Sequence, residues 1–107
     1  MRRFVVAATF TMISLSAQAL TGNQVWEEVR DEANNVNPSY NTGYVQGYVQ
    51  GIAVASRNYI CVPKGADGSQ AVSVVYNYMQ RNAATRNEEF VVIVMNSLME
   101  AWPCQKR

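Results

Sequence analysis

Phe90-Val91-Val92-Ile93-Val94-Met95-Asn96-Ser97-Leu98-Met99-Glu100-Ala101-Trp102 is the stretch whose reading decides the fold. Its first five residues are β-branched or aromatic, and propensity alone would make them a strand. Two features favour a helix. Thr85-Arg86-Asn87-Glu88 stands in front of the run with the spacing of a capping box. The apolar pattern then continues through Leu98, Met99, Ala101 and Trp102, with Asn96, Ser97 and Glu100 on the other side. The reading is a helix ending at Pro103. Its apolar arc is broad enough to be central to a bundle or shared with a partner chain.

Working toward the N-terminus, the connector Asn82-Ala83-Ala84 precedes this helix. Before it, Ala71, Val72, Val75, Tyr78 and Met79 recur with helical spacing, behind a turn at Lys64-Gly65-Ala66-Asp67-Gly68. The spacing predicts a helix to about Asn82, capped by Asp67 or Ser69. A longer helix is expected from Tyr40 to Ile60, with Tyr44, Val45, Tyr48, Val49, Ile52, Ala55, Tyr59 and Ile60 in a wide arc and Gln46, Gln50 and Arg57 in a polar stripe. Gly43, Gly47 and Gly51 fall on another sector of it. Each interior glycine costs about 1 kcal/mol against alanine, which points to close backbone packing, within the chain or across a homodimer seam. A first helix spans Asn23 to Ala33, with Val25, Trp26, Val29 and Ala33 on one side, and the turn-forming stretch Asn34 to Pro38 ends it. The expected fold is all-α, a small four-helix bundle-like domain.

The first nineteen residues carry Arg2-Arg3, an apolar stretch from Phe4 to Leu15, and Ala17-Gln18-Ala19, the layout of a signal peptide cut before Leu20. Residues 20–107 are then one domain, expected in the periplasm with no membrane span in the mature form. The chain has two cysteines, Cys61 and Cys104. They lack CxxC spacing and histidine company, so a structural disulfide between helix ends outweighs a redox pair or metal ligands. Nine basic and eight acidic residues give a formal charge of +1, and losing Arg2 and Arg3 turns that to a slight negative balance. This offers no basic field for nucleic acid. There is no histidine, which removes the commonest general base and metal ligand. No nucleophile elbow, phosphate loop or metal-ligand cluster is visible, so neither an enzyme nor a cofactor or metal is expected.

Two polar clusters remain. Glu27, Glu28, Asp31 and Glu32 read chiefly as a solvated helix face. Arg81-Asn82-Ala83-Ala84-Thr85-Arg86-Asn87 is polar and set between strong helices, so Arg81, Asn82, Thr85, Arg86 and Asn87 are the candidate partner-binding residues; an ordinary connector would look similar.

Gly47-Tyr48-Val49-Gln50-Gly51, Cys61-Val62-Pro63, the run Gln70 to Met79 and Trp102-Pro103-Cys104 stand in an order and spacing that resembles the Rap/Tai immunity family of bacterial type VI secretion. The resemblance covers Gly43 to Cys104. It implies a helical periplasmic protein that binds and occludes a peptidoglycan-cleaving amidase toxin without chemistry of its own. It also implies a homodimer in many members, and a loop pushed into the toxin's cleft, here Arg81 to Asn87. Many members carry a further cysteine pair near the start of the domain, where this chain has Asn34 to Thr42 and no cysteine. The rival reading is a small periplasmic acid-stress chaperone of the HdeA type, also helical and held by one disulfide. Such a protein loosens as carboxylates protonate, and this chain has few acids for that switch.

Overall fold

Ser97 is buried while Asn96 and Glu100 lie open to solvent, and that pattern settles the C-terminal run as a helix. The structure, a computed structural model, describes residues 20–35 and 40–105, excepting the side chains of 40–42. The signal-peptide reading of 1–19 and the end of the Asn34 to Pro38 connector lie outside the described residues. Four α-helices are present: α1 (Gly22–Ala33), α2 (Tyr40–Ala55), α3 (Gly68–Arg81) and α4 (Phe90–Ala101), with a 3-10 turn at Ala83–Thr85. Among the described residues there is no strand, only two isolated bridges, Thr21 with Glu89 and Ile60 with Pro103.

α4 forms because a helix, unlike a strand, gathers Phe90, Ile93, Val94, Ser97 and Leu98 on one side. All are essentially solvent-free. Each large apolar side chain among them contributes about 1.5–3 kcal/mol by leaving water, which overrides the β-preference of the first turn. The hydroxyl of Ser97 donates to the carbonyl of Val94 at 2.9 Å, so its burial leaves nothing unpaired. α1 adds Val25 and Val29, α2 adds Val45, Val49 and Ala53, and α3 adds Ala71, Val72, Val75 and Met79 to the same core.

The start of α4 differs from expectation. Thr85 does not cap it: its hydroxyl donates to the carbonyl of Asn82 at 2.8 Å inside the 3-10 turn. Glu89 occupies the cap position without a side-chain bond. The amide of Phe90 donates instead to the carbonyl of Leu20. Residues 86–89 cannot turn back onto α4 because they are paired with the chain entering α1. Gly22 donates to the carbonyl of Glu88 at 2.9 Å and Asn23 to that of Arg86 at 2.7 Å. The capping box of the fold is at Thr21 and Gln24, where each side chain accepts from the other residue's backbone amide.

α2 also stops earlier than its pattern suggested. Its apolar spacing runs to Ile60, but the helix ends at Ala55 and a turn carries the chain to Ile60. Extended backbone is needed there, since Cys61 donates to the carbonyl of Trp102 at 2.9 Å beside the Ile60–Pro103 bridge. That pairing aligns Cys61 with Cys104, which form a disulfide with Cα atoms 5.0 Å apart. At the other boundary Asp67, not Ser69, caps α3, accepting from Gln70 at 2.8 Å.

Gly43, Gly47 and Gly51 do not give close helix packing inside the chain. They are exposed, and a Cβ added to any of them would meet nothing within 4 Å. They lie opposite the buried Val45, Val49 and Ala53. Close approach occurs at Gly22, where a Cβ would stand 2.7 Å from the carbonyl oxygen of Arg86, and at Gly68, which nestles against the Gln46 and Gln50 side chains of α2.

Candidate functional site

Asn82 begins the connector between α3 and α4 by closing the preceding helix: its amide and its side-chain nitrogen both donate to the carbonyl of Tyr78. Such back-bonding satisfies carbonyls that a helix end leaves open. Arg86 then reaches back to donate from Nε to the carbonyl of Met79 at 3.0 Å. Its guanidinium lies 3.6 Å from the centre of the Trp26 ring. Trp26 in turn stacks on Tyr76, with ring centres 5.5 Å apart and planes 14° from parallel. The stack of Arg86, Trp26 and Tyr76 joins the connector to α1 and α3. It is a cation-π contact on a half-buried ring, with a charged hydrogen bond to a helix C-terminus added.

Arg81 is likewise engaged. It pairs with Glu100 of α4 at 2.8 Å and lies 5.9 Å from the Tyr78 ring centre. Of the five residues expected to face a partner, Arg81, Asn82, Thr85 and Arg86 therefore make bonds inside the chain. Asn87 is exposed, as are Ala83 and Ala84 of the turn. The connector is a short, fixed shelf on the first turn of α1, and what it can offer outward is the edge formed by these three residues and Glu88.

The acidic residues of α1 are spread over a partly solvated face. Glu27 is exposed, and Asp31 meets Arg30 at 3.7 Å. Among the described residues no group of three or more acidic or cysteine side chains is disposed to hold a metal ion. Where α2 and α4 meet, Tyr48 stacks on Phe90 with ring centres 5.1 Å apart. Burial, and then the nearby Tyr44 and Glu89, push the Tyr48 hydroxyl above its ordinary titration range.

The opposite end of the bundle holds a depression of about 810 Å³ between the end of α2, the disulfide-bearing connector and the start of α3. Ala53, Ile60 and Ala71 line it, with Val54, Arg57 and Val62 at its margin. Val54 is 68% exposed and Val62 41%, while the neighbouring Tyr59 is 63% exposed. Asp67 also lines it, with its carboxylate turned to the α3 cap. Sequence reading passed over this place because Tyr59 looks like a core position of a longer α2. The signal available was the pair of cations, Arg57 and Lys64, flanking Cys61-Val62-Pro63.

A family model described as Rap1a immunity proteins matches residues 21–104. No curated protein and no solved structure matches. The matched span starts at the Thr21 cap of α1 and ends at the disulfide, so it takes in every element that builds the core.

Proposed function

We propose, from the premise that this chain belongs to the Rap1a immunity protein family, that it is the periplasmic antidote to a peptidoglycan amidase delivered by type VI secretion. It acts by covering the amidase's cleft and performs no reaction. The observation that carries this is the family match across the whole core, joined to a disulfide that needs an oxidising compartment. No helix among the described residues is long and apolar enough to cross a membrane.

Occlusion of this kind buries about 1,600 Å² in total, which asks for more surface than the connector edge at Ala83, Ala84 and Asn87 supplies. The proposal therefore includes flanking helix faces in the contact. It also includes pairing of two copies, for which the exposed Gly43, Gly47 and Gly51 row is the candidate seam. α2 carries no charged residue over its length, which favours burial against another helix.

The test mixes the oxidised protein with purified type VI cell-wall amidases and follows release of peptide from peptidoglycan. Stoichiometric loss of one amidase's activity supports the reading. Full activity of every amidase at excess immunity protein would end it. Sedimentation of the free protein at micromolar concentration decides whether two copies pair.

A further inference from the structure

Two aromatic ladders are built into the bundle, and they end differently. In the first, Tyr76 and Trp26 stack with ring centres 5.5 Å apart, and Arg86 covers the outer ring at 3.6 Å. The second starts in the core at the buried Phe90, passes to the half-buried Tyr48 at 5.1 Å, and emerges at Tyr44, with 6.1 Å between the two tyrosine ring centres. Tyr44 is 47% exposed. None of the five described cations lies on it. Arg30 meets Asp31, Arg81 meets Glu100 and the Tyr78 ring, and Arg86 is on Trp26, while Arg57 and Lys64 belong to the connector after α2.

Glu89 stands beside this second ladder. It occupies the cap position of α4, yet its side chain makes no capping bond, and the Phe90 amide is taken by the Leu20 carbonyl. The exposed carboxylate has neither an ion pair nor a hydrogen bond among the described residues. Burial, then Tyr44 and then Glu89 raise the Tyr48 hydroxyl, which places the carboxylate in the field of the same two rings. Val92, one helical turn beyond Glu89, is an exposed apolar neighbour. Gly43 and Gly47 flank Tyr44 without side chains, and a Cβ on either would meet nothing within 4 Å, so the approach is open.

We infer that Tyr44, Glu89 and Val92 form the docking point for an arginine side chain projecting from the cognate toxin. The inference rests on the immunity reading and deepens it by naming a helix face for the contact. Glu89 follows directly on Asn87 and Glu88, so the point continues the connector edge. A guanidinium can lie on the Tyr44 ring and fork the carboxylate at once, and its stem can cover Val92; an ammonium cannot do both. The first ladder shows the same end filled from within the chain, by Arg86. An anion would meet Glu89 with like charge, and a wholly apolar occupant would bury that carboxylate unpaired. The start of α4 opposes a cation with about half a positive charge, which the full charge of Glu89 outweighs. Stacking from Phe90 outward holds the rings in place, so little ordering cost is left for binding.

Two titrations test this on the full oxidised protein. In the first, ¹⁵N-labelled protein receives acetyl-Leu-Arg-Leu-amide or its uncharged counterpart acetyl-Leu-citrulline-Leu-amide. The arginine peptide is expected to move the amide signals of Tyr44, Glu89 and Val92 saturably, and Glu89→Gln to abolish that response. No shift at these amides, or an equal response to both peptides, overturns the inference. In the second, an amidase that the wild-type protein blocks is titrated with Tyr44→Leu, Glu89→Gln and Lys64→Gln. Each of the first two should weaken binding by about tenfold or more. Lys64→Gln, on the other connector, should stay within threefold of wild type. One arginine-to-alanine variant of the amidase should lose the same factor and no longer respond to Glu89→Gln. Wild-type binding by both ladder variants, or no toxin arginine coupled to Glu89, sinks the assignment.

A wild-type oligomer that dissociates on Tyr44→Leu or Glu89→Gln would put a second copy on the ladder and overturns the toxin as occupant. If no amidase is blocked, the immunity reading fails while the peptide titration still decides the docking point. Both positions are exposed, so unchanged thermal melting separates lost binding from lost folding.

Discussion

Arg86→Ala is expected to destabilise the fold by about 2–3 kcal/mol, much more than an exposed arginine normally would. The guanidinium covers the Trp26 ring at 3.6 Å and Nε donates to the Met79 carbonyl at 3.0 Å. A cation over a partly desolvated ring contributes about 1–2 kcal/mol, and a charged hydrogen bond about 1.5–3 kcal/mol. They share one side chain and do not add fully. Met79 sits in the last turn of α3, where a cation also meets the negative end of the helix dipole.

Urea unfolding monitored by far-ultraviolet circular dichroism reads the loss. For a domain this small each kcal/mol lowers the melting temperature by about 4–8 °C. Trp26 emission should shift as the ring loses its cover. Arg86→Lys should recover less than half of the loss, because a point-like ammonium cannot lie flat on the indole. Arg81→Ala serves as the comparison: its exposed pair with Glu100 is worth about 0.2–1 kcal/mol. An Arg86→Ala change of less than about 0.5 kcal/mol, the usual range for surface positions, would refute the stack as a structural device.

Cys61→Ser with Cys104→Ser opens a loop of 43 residues' separation and should cost about 4 kcal/mol on the chain-entropy account, read as a lowered urea midpoint that reductant reproduces in the wild type. Gly22→Ala should destabilise by about 1–3 kcal/mol through overpacking against the Arg86 carbonyl. Helix propensity alone predicts the opposite sign, so a stabilised variant would mean that the first turn of α1 can move away. Stability should fall as pH rises past about 10. Tyr48 holds its proton more tightly when folded, so the unfolded chain ionises first and draws the equilibrium toward itself. Tyr48→Phe should flatten that alkaline decline in a pH series of melts; an unchanged slope would assign it elsewhere.

How far the sequence could be read follows from how local each signal is. The i, i+3, i+4 recurrence at Phe90, Ile93, Val94 and Leu98 depends only on helix geometry and on water, so α4 was legible despite its β-prone first turn, whereas Ser97, read onto the polar side, is buried and Met99, read onto the apolar side, is exposed. α3 was legible for the same reason, with its cap narrowed to Asp67 or Ser69 and decided for Asp67 by the structure. The cap at Thr85 was misread because the motif is local while its competitor is distant. The Leu20 carbonyl reached the Phe90 amide, and the Asn82 carbonyl took the Thr85 hydroxyl. At Gly43, Gly47 and Gly51 the spacing gave the sector correctly but carried no information on which sector faces inward. The Arg86–Trp26 stack had no signature at all, since its partners are far apart in the chain.

Composition, two cysteines and helical periodicity were by themselves enough to specify an all-α crosslinked domain, while the motifs from Gly47 to Cys104 carried the resemblance to its family. Those properties are set by burial of regularly spaced apolar side chains and by covalent chemistry, both written along the chain. The tertiary structure alone decided which basic side chains among the described residues remain available to a partner. Arg81 and Arg86 are drawn inward by Glu100 and Trp26, whereas Arg57 and Lys64 find no such neighbours. A charge is neutralised by whatever folds against it, and that neighbour is fixed only when the helices pack.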